Sequence, residues 1–182
     1  MSASARLSVR DMAYIALFAA VMAVCAWISV PLGDVPFTLQ TFGVFAAVAL
    51  LGGKRGTLAV LVYLLLGAVG LPVFSHFTGG PGALFGLTGG YILGFLLTAL
   101  VMWGAEGLGG RGLPEPAACM VLGLVACYAV GTAWYMILYA RTAGPVGIAV
   151  VLGRCVVPFL LPDLGKLLLA LALQRRLGRA VR

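Results

Sequence analysis

The stretch PFLLPDLGK, residues 158–166, decides the fold, because it shows whether this chain folds in water or in lipid. It lies inside the last and longest of several continuous apolar runs, yet it carries an acid, Asp163, and a base, Lys166, three residues apart. In a bilayer each of these charges costs about 3 kcal/mol at the centre of a helix. A pair retained at that cost points to a function, provided that the rest of the chain is also built for lipid.

The composition is that of a membrane protein. Of the 182 residues, 63% are hydrophobic and 9% are charged, whereas about a quarter of a typical soluble chain is charged. The apolar runs are continuous rather than alternating, which predicts helices and argues against membrane strands.

We therefore predict an all-α fold, a bundle of six transmembrane helices that forms a single membrane domain over residues 1–182. A spanning helix needs roughly 20 residues. The six predicted spans lie at roughly 12–30, 36–52, 56–72, 84–104, 117–139 and 146–174. The second and third are short, and the alternative for them is a tightly bent pair.

The basic residues indicate how the bundle is oriented. The net charge is +7, from 12 Lys and Arg against 5 Asp and Glu. Basic residues precede span one, join spans two and three, and follow span six: Arg6, Arg10, Lys54, Arg55, Arg175, Arg176, Arg179 and Arg182. The connections on the opposite side hold only Arg141. Because cytoplasmic loops are enriched in Lys and Arg, both termini are predicted to be cytoplasmic, and the charge indicates no nucleic-acid partner.

The sequence lacks the usual catalytic and metal-binding patterns. The four cysteines form no CxxC pair, and His76 is the single histidine, which argues against a metal site. The segment LLGGKRGTL at 50–58 lacks the GxxxxGK spacing of a phosphate-binding loop, so we interpret it as a charged turn. We predict no enzyme activity, no cofactor and no metal.

The first predicted helix has a face of small residues. On a helical wheel its alanines share one side: Ala13, Ala16, Ala19, Ala20, Ala23 and Ala26. Small residues let helix backbones approach closely in lipid. This face either packs inside the bundle or docks on another membrane subunit, with Ala16, Ala20 and Ala23 as the candidate docking residues.

Two segments approach from the predicted outer side, PLGDVPFTLQT at 31–41 and GLPVFSHFTGGPGALFGLTGGY at 70–91. Seven glycines lie between residues 70 and 90 of the second segment, and aromatic residues interrupt them. Irregular backbone at membrane depth is tolerated only where protein or a cavity covers it. The segment therefore predicts a lid over a small-molecule pocket.

The charged pair is the predicted centre of that pocket. Asp163 and Lys166 lie on one helix face at a spacing of three residues. A carboxylate accepts hydrogen bonds from N–H groups, and an ammonium binds a carboxylate. The pair therefore fits a small ligand that carries both groups. The alternatives are an ion pair that satisfies itself, and a Lys166 side chain that reaches toward the cytoplasmic end.

Four segments, VPFTLQT, GLPVF, LTGGYILGF and PDLGK, occur in this order in a chain of this length and resemble the BioY family. These proteins are the biotin-specific substrate-binding subunits of energy-coupling-factor transporters. The resemblance covers essentially the whole chain. It departs at Leu87, where the family usually has Pro before Thr-Gly-Gly. It implies a multi-pass protein of the prokaryotic plasma membrane that binds biotin from outside.

The resemblance also implies roles for residues. Asp163 would meet the ureido ring, and Lys166 would meet the valerate carboxylate or balance the charge of the pocket. The residues that would line or cover the pocket are Thr38, Gln40, Phe74, Thr88 and Tyr91. A further polar contact to the ring is expected near His76 or Thr78.

The alanine face would dock on a transmembrane subunit that is coupled to two ATPases. The nearest alternative keeps the same architecture with another vitamin, such as thiamine, riboflavin or a pantothenate-like acid.

Overall fold

A computed structural model describes residues 7–31, 35–107 and 116–181. The described chain is mostly helical, in agreement with the all-α prediction. The α-helices in these ranges are α1 (Val9–Trp27), α2 (Gln40–Leu51), α3 (Gly53–Ala68), α4 (Pro81–Leu84), α5 (Gly89–Gly107), α6 (Pro116–Thr142), α7 (Ile148–Cys155) and α8 (Val157–Val181). A 3-10 turn covers Ser75–Phe77, and the two-residue strands β1 (Ser29–Val30) and β2 (Phe37–Thr38) pair antiparallel. The basic residues Arg6 and Arg182, used above to orient the chain, lie outside the described residues.

Four helices in the described part of the chain are long and apolar enough to cross a membrane: Val9–Trp27, Gly89–Glu106, Pro116–Thr142 and Val157–Gly178. The helices α2 and α3 have 12 and 16 residues and are shorter than the roughly 20 that a straight crossing needs. Only Gly52, at a φ of 82°, separates them. Both helices are therefore short, as the sequence indicated for spans two and three, and they follow each other directly.

The predicted last span, 146–174, is two helices rather than one. The helix α7 ends at Cys155, α8 begins at Val157, and Val156 between them has a non-helical backbone with φ −126° and ψ −55°. Pro158 lies in the first turn of α8, where the missing N–H of proline is tolerated. The break separates α7 from α8, the helix that carries Asp163 and Lys166.

The core is built around α2. Of its 12 residues, 11 are buried, and it packs against α1, α3, α5 and α8. A helix that is hydrophobic on all sides belongs in a core. Close approach to α3 depends on Gly56, because a Cβ there would lie 2.4 Å from the Cα of Val48.

The structure separates the alanine face of α1 into two groups. Ala19, Ala23 and Ala26 are buried, with exposures of 2%, 7% and 0%. Ala16 and Ala20 are exposed. The buried stripe of α1 follows the helical spacing from Ile15 through Met22, and Ala23 lies beside it between Ala19 and Ala26. Ala23 therefore packs inside the bundle and is not on the surface that presents Ala16 and Ala20.

The end of α1 organises one end of the bundle, called the hairpin end here because it carries the β1–β2 pair. The Trp27 indole N–H donates to the carbonyl oxygen of Pro72 at 2.8 Å, and its ring stacks on Phe77 at a centroid distance of 5.1 Å. The strand β1 follows α1 directly and pairs with β2, which contains Phe37 and Thr38. One helix end thus holds both segments that cover the bundle there.

Candidate functional site

A cavity at the hairpin end lies between the hairpin, α2, α5, α6 and α8. The empty space inside it, counted together with the open solvent at its mouth, is about 590 Å³. Six of the predicted binding residues lie on its wall: Thr38, Gln40, Thr88, Tyr91, Asp163 and Lys166. The fold therefore brings residues separated by up to 128 positions in the sequence to one cavity.

The charged pair is buried on this wall. Asp163 and Lys166 are 3% and 5% exposed, and the Lys166 Nζ lies 2.6 Å from the Asp163 Oδ1. The Tyr128 hydroxyl donates a hydrogen bond to the other carboxylate oxygen, Oδ2. The ammonium also lies 4.2 Å from the centre of the Phe37 ring, a cation–π contact. Buried charges are tolerated only when they are paired and hydrogen-bonded, and this pair is both.

The position of the pair depends on the irregular start of α8. Pro162 lies inside the helix and lacks the N–H that would donate to the carbonyl of residue 158. Pro162 thus interrupts the hydrogen-bond ladder of the backbone next to Asp163. The face that carries Asp163 and Lys166 also carries buried Phe159, Leu167 and Ala170, so the charged side chains share the core-facing side of α8.

A chain of hydrogen bonds forms a second polar part of the wall. The Thr38 hydroxyl donates to Gln40 Oε1 at 3.1 Å, and Gln40 Nε2 donates to the Tyr63 hydroxyl at 2.5 Å. Tyr63 in turn donates to the carbonyl oxygen of Val73 at 3.0 Å. This chain ties β2, α2, α3 and the loop after α3 together, and it holds the Gln40 amide in one orientation.

Thr88 and Tyr91 form the side of the cavity given by α5. The Tyr91 hydroxyl is 3.3 Å from the Thr132 hydroxyl on α6. The ring lies flat against Gly131, where a Cβ would come within 2.1 Å of a ring carbon. Thr88 precedes α5, and its carbonyl accepts the Tyr91 N–H at 3.0 Å. The Tyr91 ring therefore has a fixed position on the wall, and Thr88 lies where the cavity meets the entrance.

The prediction for Phe74 needs a correction. Its ring is fully buried, edge-on to Tyr63 at a centroid distance of 5.5 Å. A Cβ on Gly67 would come within 2.0 Å of the ring. Phe74 therefore fills the space that Gly67 leaves open and supports Tyr63 from behind, whereas the cavity wall is formed by other residues.

His76 and Thr78, near which a polar contact to the ligand ring was expected, lie outside the cavity. They line a wide vestibule that shares Ser75 and Thr88 with the cavity. Both side chains are exposed, and His76 has a φ of 54°, in the left-handed region. They belong to the entrance.

Sequence reasoning missed residues that surround the charged pair, above all Tyr128 on the wall and Phe37 against the Lys166 ammonium. A tyrosine inside an apolar helix has a hydroxyl that needs a partner, and Asp163 was an available acceptor. That signal was present, but nothing in the sequence paired residues 35 positions apart. Cys127 and Cys155 also line the cavity.

Comparisons with known proteins agree with this geometry. The family model described as "BioY family" matches residues 1–182. The chain belongs to the BioY family. The resemblance of its four motifs is thereby confirmed, and with its apolar helices the chain is a membrane protein.

Individual BioY relatives match over most of their length. "Biotin transporter BioY" of Thermotoga maritima is 44% identical over 150 residues, covering 82% of this chain and 75% of that one. "Probable biotin transporter BioY" of Pyrococcus horikoshii is 40% identical over 168 residues, covering 92% and 96%. Among solved structures, the S-component for biotin from an ECF-type ABC transporter matches with a TM-score of 0.79 at 25% identity, covering 94% of this chain and 92% of that one.

Proposed function

We propose that this chain is the substrate-binding subunit for biotin of an energy-coupling-factor transporter, and that the cavity beside Asp163 and Lys166 holds biotin. The observation that carries the proposal is a buried acid–base pair on the wall of a cavity, in a fold that matches a biotin S-component. The chain is a transport protein and not an enzyme, in keeping with its family.

The wall has groups that complement the two ends of biotin. Each Asp163 oxygen accepts one hydrogen bond from the protein and has a second lone pair for a ureido N–H. Lys166 has further N–H donors for the ureido carbonyl or the valerate carboxylate. Apolar contact to the fused ring comes from Ile92, Phe95 and Phe159, which also line the cavity.

The same architecture with another vitamin is the alternative. Thiamine is a cation and would place its positive charge beside Lys166, which is unfavourable in a buried site. Riboflavin and pantothenate-like acids lack the saturated cyclic urea whose N–H groups need acceptors such as a carboxylate. The names of the BioY relatives favour biotin as well.

We further propose six crossings with both termini in the cytoplasm, α2 and α3 being the two short crossings. The start of α1 and the start of α3 lie at one end, because Arg55 Nη1 is 2.8 Å from Asp11 Oδ1. Lys54 and Arg10 are at the same end. The hairpin end lies at the other end of α1 and would face outward, so that the vestibule admits biotin from outside the prokaryotic cell membrane.

Docking on the energising module would use the exposed side of α1. Ala16 and Ala20 are small and exposed there, so the helix of a transmembrane subunit can approach closely. The ATPase subunits would act through that subunit. Ala23, buried in the bundle, would affect docking only through the packing of α1.

Titration of purified protein with biotin, thiamine, riboflavin and pantothenate tests the proposal. We expect saturable binding of biotin alone, and Asp163→Asn should weaken it. Thr142→Ala is the control, because within the described residues its hydroxyl donates to carbonyls of its own helix, those of Leu138 and Tyr139. Binding of another vitamin in preference to biotin would refute the assignment.

A further inference from the structure

The two oxygens of Asp163 are held from two different helices. Lys166, which is on the same helix, donates to Oδ1, and Tyr128 on α6 donates to Oδ2. Within the described part of the chain, every buried side-chain nitrogen or oxygen has a hydrogen-bond partner. The carboxylate is thus fixed between α8 and α6 before any ligand enters.

We propose that Tyr128 is a positioning residue for substrate recognition: its hydroxyl holds the Asp163 carboxylate in the orientation that accepts the ligand's N–H groups. This inference rests on the proposed function. It assigns Tyr128 a role that acts through Asp163, and it requires no contact between Tyr128 and the ligand.

The geometry shows why a second anchor is needed. Lys166 is one turn from Asp163 on the same helix, so their contact fixes the carboxylate only relative to α8. Without the Tyr128 hydroxyl, the carboxylate is free to rotate about its terminal bond, which has a broad, twofold torsion profile. The carboxylate would then no longer be held in one orientation at the cavity wall.

Two other hydroxyls on the wall, those of Thr38 and Tyr91, have partners other than Asp163. Thr38 donates to Gln40, and Tyr91 is within hydrogen-bond distance of Thr132. Tyr128 is also half-buried on the cavity wall, so its phenol has the rigid ring and low loss of rotamer freedom that suit a positioning group.

A double-mutant cycle on biotin affinity tests the inference. We expect Tyr128→Phe to weaken biotin about tenfold, as the loss of a hydrogen bond to a charged group does. In an Asp163→Asn background the same change should cost less than about twofold, because a residue that acts through Asp163 shows strong coupling to it. The matched control is Tyr139→Phe, which removes a hydroxyl from the same helix and should leave the affinity unchanged.

An infrared measurement on ligand-free protein gives a second readout. The chain has three aspartates, Asp11, Asp34 and Asp163. With ¹³C-labelled aspartate, the carboxylate band that Asp163→Asn removes should shift in Tyr128→Phe and stay in place in Tyr139→Phe. An unshifted band would overturn the inference.

The outcomes separate the two proposals. Wild-type protein that fails to bind biotin refutes the proposed function, and the infrared band then decides whether Tyr128 holds Asp163. Wild-type protein that binds biotin, with equal losses from Tyr128→Phe in both backgrounds, overturns the positioning role while the proposed function stands. A Tyr128→Phe protein that does not fold also overturns it, since the hydroxyl would then be structural.

Discussion

Removing one charge of the buried pair should destabilise the protein, whereas removing the whole polar group should not. The Lys166→Met substitution keeps most of the side-chain volume and leaves Asp163 buried without its cation. Breaking a buried ion pair in this way costs about 3–5 kcal/mol. We expect about 3 kcal/mol, the lower end, because the Tyr128 hydroxyl still donates to Asp163.

The variant to compare with Lys166→Met replaces all three polar side chains of the group at once. In the triple variant Tyr128→Phe, Asp163→Leu, Lys166→Met, no buried charge or hydroxyl of this group is left without a partner. Well-packed apolar replacements of buried ion pairs are often neutral or stabilising, so its free energy of unfolding should lie within about 1 kcal/mol of the wild type. Biotin binding should be lost in both variants.

Thermal unfolding in detergent, followed by circular dichroism, measures the difference. At roughly 2–4 °C per kcal/mol for a chain of this size, Lys166→Met should lower Tm by about 6–12 °C and the triple variant by only a few degrees. Lys54→Met, which removes an exposed lysine, is the control and should change little. A triple variant as unstable as Lys166→Met would refute the reasoning. The three polar side chains would then contribute to the stability of the fold beyond satisfying one another's charges and hydrogen bonds.

Three further predictions concern function. Lys166→Ala should weaken biotin much more than it weakens a biotin amide if the ammonium binds the carboxylate; equal losses in calorimetric titrations would exclude that contact. Ala16→Trp should leave biotin binding intact but abolish co-purification with the transmembrane and ATPase subunits, whereas Ala23→Trp should impair folding; normal uptake by Ala16→Trp would argue against docking there. Trp27→Phe removes the hydrogen bond to the Pro72 carbonyl but keeps an aromatic ring, and it should speed biotin dissociation a few-fold in stopped-flow measurements. An unchanged dissociation rate would contradict the view that Trp27 holds the segment after α3 in place over the hairpin end.

The fold class could be predicted because lipid imposes one strong constraint. A continuous apolar run in a bilayer has to satisfy its backbone within itself, and that leaves helices. The break at Val156 could not be predicted, because it depends on how α7 and α8 pack against α6. The short pair α2 and α3 was recognisable from length alone, but the burial of α2 on all sides is a property of the assembled bundle.

The site divides in the same way. Asp163 and Lys166 were identified because burying a charge is costly, and a charged residue inside an apolar span is visible in the sequence alone. Thr38 and Tyr91 came from the family resemblance. Tyr128 could not be assigned, because its role is a contact between helices. Phe74 was misplaced because the space beside Gly67, which its ring fills, is visible only in three dimensions.

The structure also bears on the alternative that the charged pair only satisfies itself. The pair is in fact satisfied, since each charge has two protein partners, yet it lies on the wall of a cavity. These statements are compatible, because a binding site that left charges bare would be unstable when empty. A ligand then gains little from the charged group as a whole, and it binds by adding donors to the spare lone pairs and by burying its ring against apolar side chains. The affinity of such a site depends on how firmly its acceptors are oriented in advance, and that orientation comes from Tyr128 and Lys166 together.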